Sequence, residues 1–415
     1  MKFIALIGVT TLPGLASASF PWNLSPFNSG AANQFAGAAY FLSNEPDGNY
    51  IISSAINHNG TVTLGQAVWA GGIGARGTND PNPAPDPLFS QGVITVSGKN
   101  VFTVNPGSNT VAMFSIDGND PTQLTMVGQP ANSGGEFPVS VAASQKTGLI
   151  CVLNGGVVNG VSCFKHSGAK GLVQVPDTQR LFNLTQTTPP SGPPNTVSQV
   201  IFNQAETQLI ASVKGIPPQP GFLAVWDINA QTGALSQNFV SVPPATGGAL
   251  PFSLTPLPGQ NALLATDPST GYSIFDFAPS SNIKKNRSGT YPVQGQKATC
   301  WSAFSTKTGN AYIIDSGAQT ISEISINAAS LAPTIVNHYV LANGSAPIDS
   351  EVATVGGKDF LYVLSANRQS IYVMALDAPG KARIFQEMPF SNSVTKSGLT
   401  TDPFHLQGLA TYIVS

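Results

Sequence analysis

The chain has 415 residues, of which 41% are hydrophobic and only 9% charged, with 42 glycines and 33 prolines. A charged share far below the ~25% of ordinary soluble domains leaves the surface to Ser, Thr, Asn, Gln and Gly, and so many turn formers exclude a bundle of long helices. Lys plus Arg (18) nearly balances Asp plus Glu (20), and a net charge of −2 gives no basic footprint for nucleic acid or an anionic membrane.

The chain opens as a secretory leader. Lys2 is its basic start, Phe3 to Leu15 an apolar stretch broken at Pro13, and Ala16-Ser17-Ala18 a small-residue cleavage site. Residues 1–18 are therefore expected to be removed, leaving 19–415 as one domain outside the cell or in the cell wall. No later stretch approaches the ~20 unbroken apolar residues of a membrane span. Thr411 to Ser415 lacks the tail of a glycolipid anchor. Asn-x-Ser/Thr sequons at Asn23, Asn59, Asn183, Asn286 and Asn343 fit a secreted glycoprotein. Cys151 and Cys163 flank a Gly/Asn-rich hairpin centred on Val157, so they face each other on neighbouring strands. Oxidising conditions favour a disulfide there; two buried thiols are the alternative, since opposed strand positions do not always reach disulfide geometry. Cys300 has no partner and is expected to be buried.

A unit of roughly 50–60 residues, in the range of propeller blades, then recurs. Each copy holds an apolar strand, a turn, a second apolar strand ending in a polar residue, and an alternating third strand. Six complete copies read as 89–117, 137–164, 197–228, 251–276, 301–324 and 349–376. The N-terminal leftover (Ala39–Asn44, Asn49–Ile56) resembles second and third strands; the C-terminal leftover, Leu406–Tyr412, resembles a lone first strand. Joined, the two ends make a seventh blade, and closing the ring removes open sheet edges. The fold expected is an all-β, seven-bladed β-propeller. Two long connections, 167–195 and 389–401, read as insertions.

In such a ring, the starts of first strands and the ends of second strands converge on one funnel. Glu136, Gln91, Gln199 and His405 stand at first-strand starts. Asn105, Asn154, Lys214, Asp267, Asp315 and Arg368 stand at second-strand ends, as do Asn44 and Glu45. Asp349 or Glu351 is a further start. Arg76 lies in the Gly-rich loop Ala70–Gly77, where it could clamp a carboxylate. Turn chemistry is the competing explanation for the Asn and Asp positions. No nucleophile elbow, dinucleotide loop or clustered metal-binding histidine is visible, so no cofactor is expected.

Asp86-Pro87-Leu88-Phe89-Ser90-Gln91-Gly92, Val104–Val111, Gly134–Ser140 and Val152–Gly156 resemble a lactonase-like propeller family. Across nearly the whole mature chain the sequence resembles the secreted fungal proteins called 3-carboxymuconate cyclases. The resemblance implies an intramolecular lyase or lactone hydrolase acting on a small carboxylated molecule, with Arg76, Lys214 and Arg368 holding charge and Glu136 or His405 moving a proton. It departs from the cytosolic members, whose first strands start with His-rich motifs; Gln-Gly and Phe-Pro-Val-Ser stand here instead. A second reading is a non-catalytic surface antigen or adhesin that meets cell wall or host surface. A third is a calcium-dependent lactonase, with Glu136, Asn105, Asn154 and Asp267 as oxygen ligands.

Overall fold

A computed structural model describes residues 34–79, 83–277 and 287–414. The leader 1–18, Asn23 and Asn286 lie outside these residues.

Seven antiparallel sheets form seven blades, each with four strands in radial order, and blades 2 and 3 add a short fifth strand beside the third. Blade 1 takes its inner strand, Gln407–Ile413, from the C-terminal end and the other three (Gly37–Leu42, Tyr50–Ile56, Val62–Trp69) from the N-terminal end. Ala38 pairs with Tyr412 and Tyr40 with Ala410, so the ring closes as the two leftovers imply. The inner strands of blades 2 to 7 are Ile94–Ser97, Pro138–Ala143, Val197–Phe202, Leu254–Pro256, Thr299–Ser305 and Pro347–Val355, and together with the inner strand of blade 1 they pack in sequence around a central bore.

The second strands are apolar on both faces because each is sandwiched between neighbouring blades. Ala262–Asp267 and Asn310–Asp315 are buried at every residue. The fourth strands carry no such signal. Val240–Val242 and Pro333–Val340 lie mostly in solvent, so burial does not select their residues, and the repeat reads as three-stranded in the sequence.

The first strand of blade 2 departs from expectation. Residues 86–92 do not pair as a strand. Asp86, Phe89 and Gly92 have φ of 84°, 54° and 84°, and a left-handed φ breaks the extended ladder. The 389–401 insertion contains a short helix, Ser391–Lys396. Cys151 and Cys163 face each other across the second and third strands of blade 3 and are disulfide-bonded. Cys300 is buried and free. Asn59, Asn183 and Asn343 are exposed.

Candidate functional site

The polar residues at second-strand ends share one architectural task. In blades 1, 2, 3, 5, 6 and 7 one such residue reaches back to the connection that enters its own blade. Asp267 Oδ2 accepts the Ala249 and Leu250 N–H groups at 2.7 and 3.0 Å, and its Oδ1 accepts from Ser269. Asp315 accepts from Lys297, Ala298 and Ala318 N–H and from the Thr299 hydroxyl. Asn105 Nδ2 donates to Ala70 O and Asn154 Nδ2 to Ser133 O. Ser365 donates to Ser345 O in blade 7. Buried backbone groups between blades need such partners, and a short polar side chain at a strand end supplies them. Asn105, Asn154, Asp267 and Asp315 are accordingly buried latches rather than a ring of free ligand groups. The four oxygen donors of the calcium reading are not brought together: three sit in the latches of blades 2, 3 and 5, and Glu136 lies in a separate cleft.

Lys214 also differs from expectation. It is 1% exposed. Its Nζ donates to Phe89 O at 2.5 Å and Val197 O at 3.2 Å, and it lies 4.6 Å from the Phe252 ring centroid. The ammonium is thereby committed to fixing residues 86–92 across the funnel. That segment is held from all sides. Ser198 Oγ donates to Phe89 O, and both Trp301 Nε1 and Gln407 Nε2 donate to Ser90 O. Gln91 bridges the bore to blade 6, its amide giving and taking a hydrogen bond with the Ser302 backbone at 3.0 and 3.1 Å. The 182–196 loop packs on top, with Thr78 N donating to Pro190 O and Gly192 N to Thr78 O. The mouth of the funnel is plugged.

The plug encloses ionisable groups. Burial pushes the Asp86 carboxyl up and pulls the Lys214 ammonium down, while their mutual attraction opposes both shifts. Burial also pushes Asp349 up to about 8, although Gln407 Nε2 and Gly408 N donate to it. Asp86 opens the Asp86–Gly92 motif, but it is not among the candidate site residues, because its Pro-flanked position gives no sign that it would be enclosed.

Free chemistry gathers beside the plug, where the two chain ends meet. Asn44, at φ 51°, starts a turn that positions two functional groups. Its side chain holds Ala75 through both N–H and C=O, which fixes the adjacent Arg76. Gly74 permits this approach, because a Cβ there would stand 1.9 Å from Asn44 O. The next residue, Glu45, accepts from Asp402 N–H through Oε1 at 2.6 Å and contacts His405 Nδ1 through Oε2 at 2.7 Å. This is the blade 1 latch, with a histidine as its cargo. A carboxylate only accepts, so Nδ1 donates and Nε2 is left to exchange a proton. The side chains of His405 and Glu45 are 17% and 8% exposed. Arg76 is half-buried, its guanidinium carbon 5.5 Å from the Phe404 ring centroid. Among the described residues it has no ion-pair partner.

The remaining candidates lie elsewhere. Glu136 Oε2 accepts from Thr188 Oγ1 and lines a shallow cleft of about 450 Å³ with Asn109, Asn132, Gln174 and Gln179, apart from His405. Arg368 is exposed and paired with Glu387 at 2.6 Å. Gln199 Oε1 accepts Leu254 N–H at 2.5 Å, stitching blade 4 to blade 5 at the wall of the bore. His58, His166 and His338 are exposed.

No protein-family model matches the chain, and no curated protein matches it. Solved structures do. The periplasmic gluconolactonase PpgL of Pseudomonas aeruginosa superposes with a TM-score of 0.63 at 13% identity, covering 91% of this chain and 100% of that one. A proposed 6-phosphogluconolactonase of Bacteroides fragilis gives 0.59 at 14%, covering 92% and 99%. A Lactobacillus plantarum protein gives 0.60 at 14%, covering 91% and 99%. At these identities the likeness establishes the fold, and the chain is a seven-bladed propeller of the architecture these solved structures share.

Proposed function

We propose that this protein is a secreted propeller enzyme of lactone chemistry, opening or closing the ring of a small carboxylated substrate such as 3-carboxymuconate or its lactone. The observation that carries the reading is the Glu45–His405 pair beside Arg76, which has no ion-pair partner among the described residues, all three set by one turn. Arg76 would hold the substrate carboxylate, which its planar fork suits. In lactone opening, His405 Nε2 takes a proton from water as the water oxygen bonds to the carbonyl carbon. The ring C–O bond then breaks, and the leaving alkoxide receives that proton. In cyclisation, a substrate carboxylate oxygen adds to a conjugated carbon and the imidazolium protonates the adjacent carbanion. Glu45 stabilises the imidazolium in both directions.

Turnover of 3-carboxymuconate and a lactone panel tests the proposal. His405→Gln should lower kcat by about 10²–10⁴-fold, the usual contribution of general acid–base catalysis, and Arg76→Lys should mainly raise KM. Glu136→Gln, in a separate cleft, should leave both nearly unchanged. Absence of turnover on every member would sink the reading in favour of a non-catalytic surface glycoprotein. That second reading is supported by the exposed sequon asparagines and by the funnel groups bound to backbone.

A further inference from the structure

The bore is closed by residues 86–92 on one side but not on the other. Below Gln91 it forms a cavity of about 450 Å³ lined by inner strands of six blades, reaching the turn at Asn203 and Gln204. This volume lies within the ~300–1,000 Å³ of small-molecule sites. Ile94, Val141, Val200 and Leu409 are packed into the core behind it, and its wall is mixed: half-buried Val96, Ile201 and Phe202 supply the apolar part beside polar Gln91, Thr95 and Thr411.

Two of its lining residues are charged, and both are acidic. Glu206, by the rim, is engaged: its Oε2 accepts from Ser144 Oγ and Lys146 N–H at 2.5 and 2.8 Å. Glu351, on the inner strand of blade 7, accepts no hydrogen bond and has no ion pair among the described residues. It is exposed to solvent within the bore, and the protein ringing it pushes its carboxyl above the ordinary carboxylate range. A carboxylate in a narrow bore without a cationic neighbour favours a ligand that brings the missing charge. One carboxylate is too few for calcium, which takes 6–8 oxygen ligands.

We propose that the bore is a second binding site, taking a small alkylammonium cation whose nitrogen pairs with Glu351 and whose carbon chain lies against the apolar part of the wall. The site is separated from Glu45 and His405 by the plug and does not depend on the lactone reading.

Titration calorimetry of the full-length secreted chain with n-butylammonium chloride at pH 8, where the Glu351 carboxyl is ionised, tests it, with butan-1-ol as the uncharged comparison. Saturable one-to-one binding of the cation and none of the alcohol are expected. Glu351→Gln should weaken binding at least 10-fold. Thr95→Phe, which narrows the bore without altering charge, should weaken it comparably. No saturable binding to the wild type overturns the proposal, as does wild-type affinity in either folded variant.

Discussion

Replacing Asp315 by alanine separates a latch from a ligand. Its Oδ2 accepts from Lys297 N–H at 2.7 Å and the Thr299 hydroxyl at 3.3 Å, and its Oδ1 from Ala298 and Ala318 N–H at 3.0 and 2.7 Å. The substitution removes all four bonds and strips three backbone donors of their acceptor. A hydrogen bond to a charged group contributes ~1.5–3 kcal/mol, and an orphaned buried donor costs ~1–3 kcal/mol. Lys297 is exposed and Ala298 half-buried, so water recovers part of the loss, leaving a net destabilisation of about 3–5 kcal/mol. Asp315→Asn keeps one acceptor oxygen and turns an amide donor toward the other N–H groups, so it should fall between wild type and alanine. Urea unfolding followed by tryptophan fluorescence measures both, because Trp301 is buried on the strand beside Asp315. Arg368→Ala removes a partly exposed ion pair and should leave stability essentially unchanged. If Asp315→Ala costs under about 1 kcal/mol, or matches Arg368→Ala, the latch argument fails.

Asp349 predicts a pH dependence. Its folded pKa, about 8, lies above the unfolded value of ~3.9, so its contribution is full below about pH 4 and is lost as pH rises through 8. Asp349→Asn keeps an acceptor for Gln407 and Gly408 and should flatten the melting temperature between about pH 5 and 8; a wild-type-to-variant gap constant over that range refutes the assignment. Cys151→Ala/Cys163→Ala opens a loop closed at a sequence separation of 12; the urea midpoint should drop by about 2–3 kcal/mol equivalent, and an unchanged midpoint would show that strand pairing alone holds blade 3. Gly74→Ala places a Cβ 1.9 Å from Asn44 O, so the turn must shift and Arg76 with it. KM for a carboxylated substrate should rise while kcat falls less, and a normal KM would remove Arg76 from substrate binding.

The architecture was legible in the sequence because it is periodic. An apolar second strand every 50–60 residues is what burial between two neighbouring blades selects, and the mismatch at the two ends already implied a shared blade. Pairing of Cys151 with Cys163 was legible as an opposed position, because a hairpin midpoint fixes register. Outer strands were not, since solvent imposes no pattern on Val240–Val242.

The site was legible only as a set of positions. Polarity at second-strand ends is the same whether the side chain faces a ligand or its own backbone, and the sequence holds no record of which. Tertiary structure decided it by folding residues 86–92 across the funnel, which made Lys214 a plug anchor. It also brought Glu45 and His405 together across 360 residues at the ring closure. Local propensity acts over a few residues, and the meeting of those two side chains is a property of the closed ring.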